Sequence, residues 1–426
     1  MLISDEPWLI ISILIPARER MPTTRVQVPP VGATLWGYEP RQSTWLEHQL
    51  RAEALACEAD GVGWILMTAD VGGFSRPLAD CIRADVAERT GLSADSIMLT
   101  ATHTHSGPHV TDALWCERSA LESAYFADLR RLLADNAAAA WHNRAEGQLL
   151  HGHAAAPHLA SNRRVQDADG KWTNVWSDPK GTHSGYFDPT LDILAVRRPD
   201  GGIDALLVNF GCHPVCYGSR SLGISGDYVS YMKDALESRG LVRTAMFTVS
   251  GHGNIGPRHC VQDNRDIVQR MGVELADTIE GALNTLAPVL GSGACAFSEP
   301  WEIQTTWDVS GRLAIYFPHP GPGETIRTST ACIAAGDCII IGLPGEAVSE
   351  YRRKFAERSP FTTTILVSLT NDFIGYLTTD EILSQGAYEA NICPSNPIES
   401  ALTAQVDIML SKSAVAIRRQ ATPPLD

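Results

Sequence analysis

What most constrains this chain is a recurring order of signals along it: a short apolar run with a polar end, then a stretch of helical spacing, then another apolar run. The run "GWILMTAD", Gly63 to Asp70, is followed by "RPLADCIRADVAERTG", which has amphipathic helical spacing and closes at Gly91. "SIMLTAT" then supplies the next strand, completing a strand–helix–strand unit. A long helix with an Ala-rich middle is expected from about Leu121 to His142.

The same rhythm returns further on. "ALLVNFG" reads as a strand, and "GDYVSYMKDALESRG" as a helix opened by Ser225 or Asp227 and closed by Gly240. "TAMFTVSG" is another strand, with a helix expected near Asp266 to Leu286. "ACIAAGDCIIIGLPGE" reads as a pair of hairpin strands, followed by a helix near Ala347 to Glu357 and the strand "TTTILVSLTND". No internal repeat and no low-complexity linker is visible in the chain. This alternation predicts an α/β fold, a layered mixed α/β single large domain spanning residues 21–426. Residues 1–20 are an N-terminal extension or an added strand, or precede a true start at Met21. Their apolar run, Trp8 to Pro16, is too short to span a bilayer and lacks a basic flank, carrying Asp5 and Glu6 instead.

Composition narrows the function classes. The net charge of −15 disfavours nucleic acid and anionic membranes, and no Lys/Arg-rich stretch offsets it. Ten cysteines over 426 residues do not make a disulfide framework, and Cys212 and Cys216 lack the second thiol pair of a zinc ribbon. Reduced thiols and the absence of an export signal place the protein in the cytoplasm as an expectation. Gly-rich segments such as "HPGPGE" lack the context of a phosphate loop, so a nucleotide cofactor is not indicated.

Polar residues of metal-ligating type stand where the apolar strands end. His103 and His105 follow "SIMLTAT", His213 follows "ALLVNFGC", Glu346 follows "CIIIGLPG", Tyr376 follows "ILVSLTNDFIG" and Asp70 follows "WILMT". Ligands of layered α/β folds bind beyond the carboxyl ends of strands, so these residues could meet in one crevice. A catalytic zinc takes about three nitrogen or oxygen ligands, keeps a position for water, and lowers the pKa of that water toward about 7. A second histidine two residues from a ligand is well placed to move protons. Hydrogen-bonded histidines capping a strand would produce the same local pattern.

"TATHTHSGPH" is similar to the Gly-Thr-His-Thr-His-Ser-Gly-Pro signature of the neutral/alkaline, non-lysosomal ceramidase family, whose members are zinc-dependent amide hydrolases. "PPVGATLWGYEPR", "SNRR", "VNFGCHPVCYG", "SGDYVSYMKDALE", "LPGEAVSEYRRKF" and "IGYLTTDEILSQGAYEA" resemble further segments of that family, in order, from about Pro29 to Glu389. The resemblance implies zinc (Zn2+) held by His103, His213, Glu346 and Tyr376. It implies His105 as the acid/base and Arg163, on the Asn-Arg segment, as the contact for the substrate carbonyl or oxyanion. Tyr376 as a ligand comes from the resemblance alone; by its spacing it reads as a strand-end core aromatic.

Two departures matter. Gly256, in "GHGNIGPRHC", stands where the family carries a serine with a catalytic role, and the family's C-terminal immunoglobulin-like domain is not expected in the fifty or so residues after Tyr376. Either water held by zinc acts alone, or the protein binds zinc or a small acyl compound without turnover. No interfacial amphipathic helix is visible. The expected substrate is therefore a small, water-soluble amide, with an ester or lactone second and a lipid N-acyl (ceramide) amide as a further alternative. A stable membrane anchor is not expected.

Other residues carry two readings each. Asp70 could orient a ligand histidine or cap a helix, and Asp227 could serve the site from behind or, as N-capping explains without appeal to function, open its helix. His252 could reach the crevice or stand on an exposed loop, and His109 is expected at the surface, with a secondary metal site as its other reading. His151, His153 and His158 have metal-like spacing that a half-buried strand also explains. Specificity is assigned to three loops, Asp167 to Phe187, Cys260 to Arg265 and Leu313 to Glu324.

Overall fold

The structure, a computed structural model, describes residues 9–13, 31–111, 119–306 and 322–421. Within them one topological unit occurs three times: three antiparallel strands, a helix, a strand parallel to the third, and a closing helix. The first comprises Leu9–Ile13, Ala52–Ala59 and Val62–Ala69, helix Arg76–Thr90, strand Ile97–Ala101 and helix Ala120–His142. In the second, Ala145–Ala155, Thr190–Arg197 and Ile203–Phe210 precede helix Tyr228–Ser238, strand Thr244–Val249 and helix Arg265–Ala282. The third has Ala294–Gln304, Thr325–Ala335 and Cys338–Gly342, then helix Glu350–Arg358, strand Thr363–Val367 and helix Ile398–Ala421. The repeat is invisible in the residues because each unit packs against different neighbours; only the order of elements is kept.

The first two units join through their opening strands, Leu9–Ile13 against Ala145–Ala155, into a nine-stranded sheet whose ninth strand is Ala287–Pro288, paired with Ala145–Ala155. The third unit forms a four-stranded sheet. Along Val62–Ala69, Trp64 and Leu66 point into a cluster with Ile333, Ile340, Ile365 and Val367 of the smaller sheet. Ile65 and Met67 point the other way, onto Ile82, Val86, Leu129 and Leu133 of two helices. The smaller sheet's outer face packs on Tyr351, Phe355, Leu402 and Val406. The order of layers is helices, large sheet, small sheet, helices. Both faces of the inner strands are covered, so they read as near-continuous apolar runs.

The edges of the large sheet curl back toward one another, with Thr68 Oγ1 donating to Phe247 O at 2.8 Å. The segment after Thr363–Val367 spans both edges: Ser368 N donates to Val249 O and Asn371 N to Leu99 O. The carboxyl ends of all three parallel pairs therefore meet in one place.

Most expected elements are present with shifted ends. The helix expected from Ala347 begins at Glu350, because Glu346–Ala347 is drawn into a two-residue parallel ladder with Tyr376–Leu377. The helix expected to Leu286 stops at Ala282 and tightens into a 3-10 turn, Leu283–Thr285. Among the described residues no helix is long and apolar enough to cross a membrane. Met21 and most of the Leu313 to Glu324 loop lie outside the described residues.

Candidate metal centre and adjoining cavity

Four buried side chains from the three units come together: His103, His213, His252 and Glu346, with one ligand atom of each within 4.8 Å of every other. His103 follows the last strand of the first unit and adopts φ 69°, a left-handed conformation that turns its ring away from the strand direction. His213 and His252 leave the third and fourth strands of the second unit, and Glu346 leaves the third strand of the third. The Glu346–Tyr376 pairing sets the Tyr376 ring beside the cluster, its hydroxyl 3.5 Å from His213 Nε2.

The imidazoles are oriented from behind. His103 Nδ1 pairs with Gly72 O, His213 Nδ1 with Ile255 O at 2.9 Å and His252 Nδ1 with Ser250 O at 2.9 Å. A carbonyl only accepts, so each Nδ1 carries the proton and each Nε2 presents a lone pair, the arrangement usual for metal-ligating histidine. Burial disfavours the charged form of two of these rings: it pushes His213 down to about 4 and His252 well below its ordinary value. Burial works against ionisation of Glu346, but His103 and His213 outweigh it and hold the carboxyl well below the usual range.

A cation shared among these groups would satisfy them together. Glu346 Oε2 lies 2.9 Å from His213 Nε2, 3.5 Å from His103 Nε2 and 3.8 Å from His252 Nε2. Lone pairs facing at such distances repel, whereas ligand atoms about 2.1 Å from one metal ion stand about 3.4 Å apart in a tetrahedron. His252 Nε2 is buried without a hydrogen-bond partner. The donor set fits a divalent transition metal.

His105 Nε2 is 3.4 Å from His103 Nε2, at the cavity side of the cluster. Burial pushes His105 well below its ordinary value, with His103 and His213 adding to the effect. Gly37 makes its position possible: at φ 71° it presses so close that a Cβ there would lie 2.3 Å from His105 Nδ1. Arg163 donates from Nη2 to Tyr376 Oη at 2.9 Å and to Gly253 O at 2.6 Å, and from Nε to Glu389 at 2.8 Å. Burial disfavours its charge, but Tyr376 and Glu389 more than restore it.

A cavity of about 350 Å³ opens onto this array. His105, Arg163, His213, Glu346 and Tyr376 stand along it, and Trp36, Tyr38, Trp176, Phe373 and Tyr388 supply most of its apolar wall. Trp176 comes from the Asp167 to Phe187 loop, and Cys260 and Val261 from the second of the three expected loops.

Several expected residues go elsewhere. Asp70 takes Lys233 Nζ at 3.1 Å and Arg51 N at 2.9 Å, while the Gly72 carbonyl orients His103. Asp227 caps Tyr228–Ser238 and also accepts from Cys216 N and Tyr217 N, tying down the loop after His213. His109 is not at the surface: the Gly107–Pro108 turn is bonded beneath Leu35 and Trp36, which buries the ring against Trp36. His153 pairs with Asp192 and His151 with Thr363. Gly256 lies in the short strand Ile255–Pro257, and a Cβ there would make only an ordinary 3.5 Å contact with Cys260 Sγ, so packing does not enforce glycine. The residue that sequence reasoning left without a role is Glu389, which accepts from both Arg163 and Arg164; its signals were the adjacent arginines of "SNRR" and its own place at the end of "IGYLTTDEILSQGAYEA".

No family model matches the chain, and no curated protein matches it in sequence. Solved structures do. The neutral ceramidase of Pseudomonas aeruginosa superposes with a TM-score of 0.75 at 16% identity, over 96% of this chain and 75% of that one. A structure described as ceramidase complexed with C2 gives a TM-score of 0.76 at 16% identity, over 99% and 77%. The chain has the mixed helix-and-sheet fold of those proteins.

Proposed function

We propose that the protein is a metal-dependent hydrolase that cleaves the carbon–nitrogen bond of a compact amide. The observation that carries this reading is the convergence of buried imidazole nitrogens on the Glu346 carboxylate beside an apolar cavity. The fold shared with the two ceramidases supports hydrolysis of an amide as the reaction class.

His103, His213 and Glu346 would hold the metal, zinc by the resemblance, and Tyr376 stands at the edge of the same cluster. When bound, such an ion supplies Lewis acidity and makes a nucleophilic water available near neutral pH. His105 is neutral and beside the cluster; it takes a proton from the attacking water and returns it to the leaving amine as the carbon–nitrogen bond breaks. Arg163, fixed through Nε and Nη2, keeps Nη1 for the carbonyl oxygen, and the Tyr376 hydroxyl is a second group on that side. Donors so placed are commonly worth about 3–4 kcal/mol each in the transition state. No hydroxyl stands at Gly256, so water is the attacking group.

The cavity, about 350 Å³, is at the small end of the range for ligand pockets. Its size favours a compact apolar acyl group over a two-chain lipid. An ester or lactone would fit the same groups as a second substrate class.

The test is metal content by elemental mass spectrometry on wild type and His213→Ala, followed by turnover of short N-acyl amides, esters, lactones and N-acyl sphingosines. About one metal per chain in wild type, its loss in the variant, and preferred turnover of the short amides are expected. Wild-type protein without metal after loading would sink the reading.

A further inference from the structure

We infer that His252 is itself a metal ligand, so that the centre is built from three imidazoles and one carboxylate. The inference rests on the metal-dependent reading above and changes its ligand set, giving Tyr376 to the substrate side.

His252 is positioned as deliberately as the other two histidines. Its backbone N–H and that of Gly253 both donate to Ala347 O, at 2.7 and 2.8 Å, which fastens the loop to the strand carrying Glu346. The flanking glycines permit this approach. A Cβ at Gly251 would lie 2.7 Å from Val348 O, and one at Gly253 would lie 2.9 Å from Glu346 O. With Nδ1 committed to Ser250 O, the remaining nitrogen has its lone pair facing inward, fully buried and unbonded. Leaving such a buried atom without a partner is unfavourable, and a coordinated ion removes that cost. The ring stands 4.5 Å from that of His213 and 5.1 Å from that of His103, centroid to centroid.

Tyr376 has a different commitment. Its hydroxyl is bonded by Arg163 at 2.9 Å, and the Arg163 guanidinium is held in turn by Glu389. The pair faces the cavity, where a carbonyl oxygen would need hydrogen-bond donors. A set of three nitrogens and a carboxylate would suit a first-row divalent ion.

The experiment is titration of the apo full-length protein with Co2+, comparing wild type, His252→Ala and Tyr376→Phe. His252→Ala should weaken binding at least tenfold and alter the visible cobalt bands; Tyr376→Phe should stay within threefold and keep them. Wild-type affinity and wild-type bands in His252→Ala would overturn the inference, as would loss of the ion in Tyr376→Phe alone. If His252→Ala fails to fold, nitrogen hyperfine structure on Cu2+-loaded wild type decides: three coordinated imidazoles support the inference and two overturn it. Wild type that takes up neither ion removes the metal itself and overturns both readings.

Discussion

At the scale of single residues, the site is set by positions where the backbone leaves ordinary conformations or admits no side chain. Gly37 serves both needs, with φ 71° and the His105 ring where a Cβ would be. Gly37→Ala would cost about 1 kcal/mol of backbone strain, and displacing a catalytic ring by about 1 Å can cost a factor of about 100. We expect kcat to fall at least tenfold with metal content unchanged; an unaltered kcat would mean that His105 is not the proton carrier. The residue level is also where the sequence was most and least legible. The His103–His105 pair stood out because three histidines cluster beside one strand end. His252 did not, because "SGHGN" reads equally as an exposed loop until the two glycines are seen against Glu346 and Val348.

At the scale of elements, the junction between the third unit and the sheet edges carries a pH-dependent strain. Asp372, in the bridging segment, accepts from Thr328 Oγ1 and Phe373 N, both at 2.7 Å, with Arg76 and Asp80 facing it from the first helix. Burial raises its carboxyl from 3.8 to about 6. The folded state therefore holds this proton more tightly than the unfolded one. The stabilisation is complete below about pH 4 and lost as pH rises through about 6. Asp372→Asn, which cannot ionise, should be more stable than wild type by about 1–3 kcal/mol at pH 8, with no gain at pH 4. Urea unfolding at the two pH values measures this, and an equal effect at both would show that Asp372 ionises freely in the folded protein. Element positions themselves were largely legible, since a 3.6-residue period or an apolar run is local. The ends were not: Ala347 was taken from its expected helix by a ladder partner, Leu377, thirty residues away in the chain.

At the scale of the whole molecule, three units of one topology point the ends of their parallel strands at each other, and the cluster joins all three. An ion held there should stabilise the fold itself, because it cross-links units and relieves facing lone pairs. At a free metal concentration about 1,000 times the dissociation constant, the gain is about 4 kcal/mol. Wild type should melt several degrees higher metal-loaded than after chelation, and His213→Ala should show no such difference; calorimetry reads both. A melting temperature indifferent to chelation would mean that the cluster holds no metal. The sequence alone determined where strands end and that residues able to bind a metal or move a proton stand at those ends, because both signals lie within a few adjacent residues. Only the tertiary structure decided which ends meet. It brought His252 in, gave Asp70 to Lys233 and Asp227 to a helix cap, and set Glu389 behind Arg163. Those outcomes depend on the curl of the large sheet and on contacts such as His103 with Glu346, more than two hundred residues apart, for which no local periodicity exists.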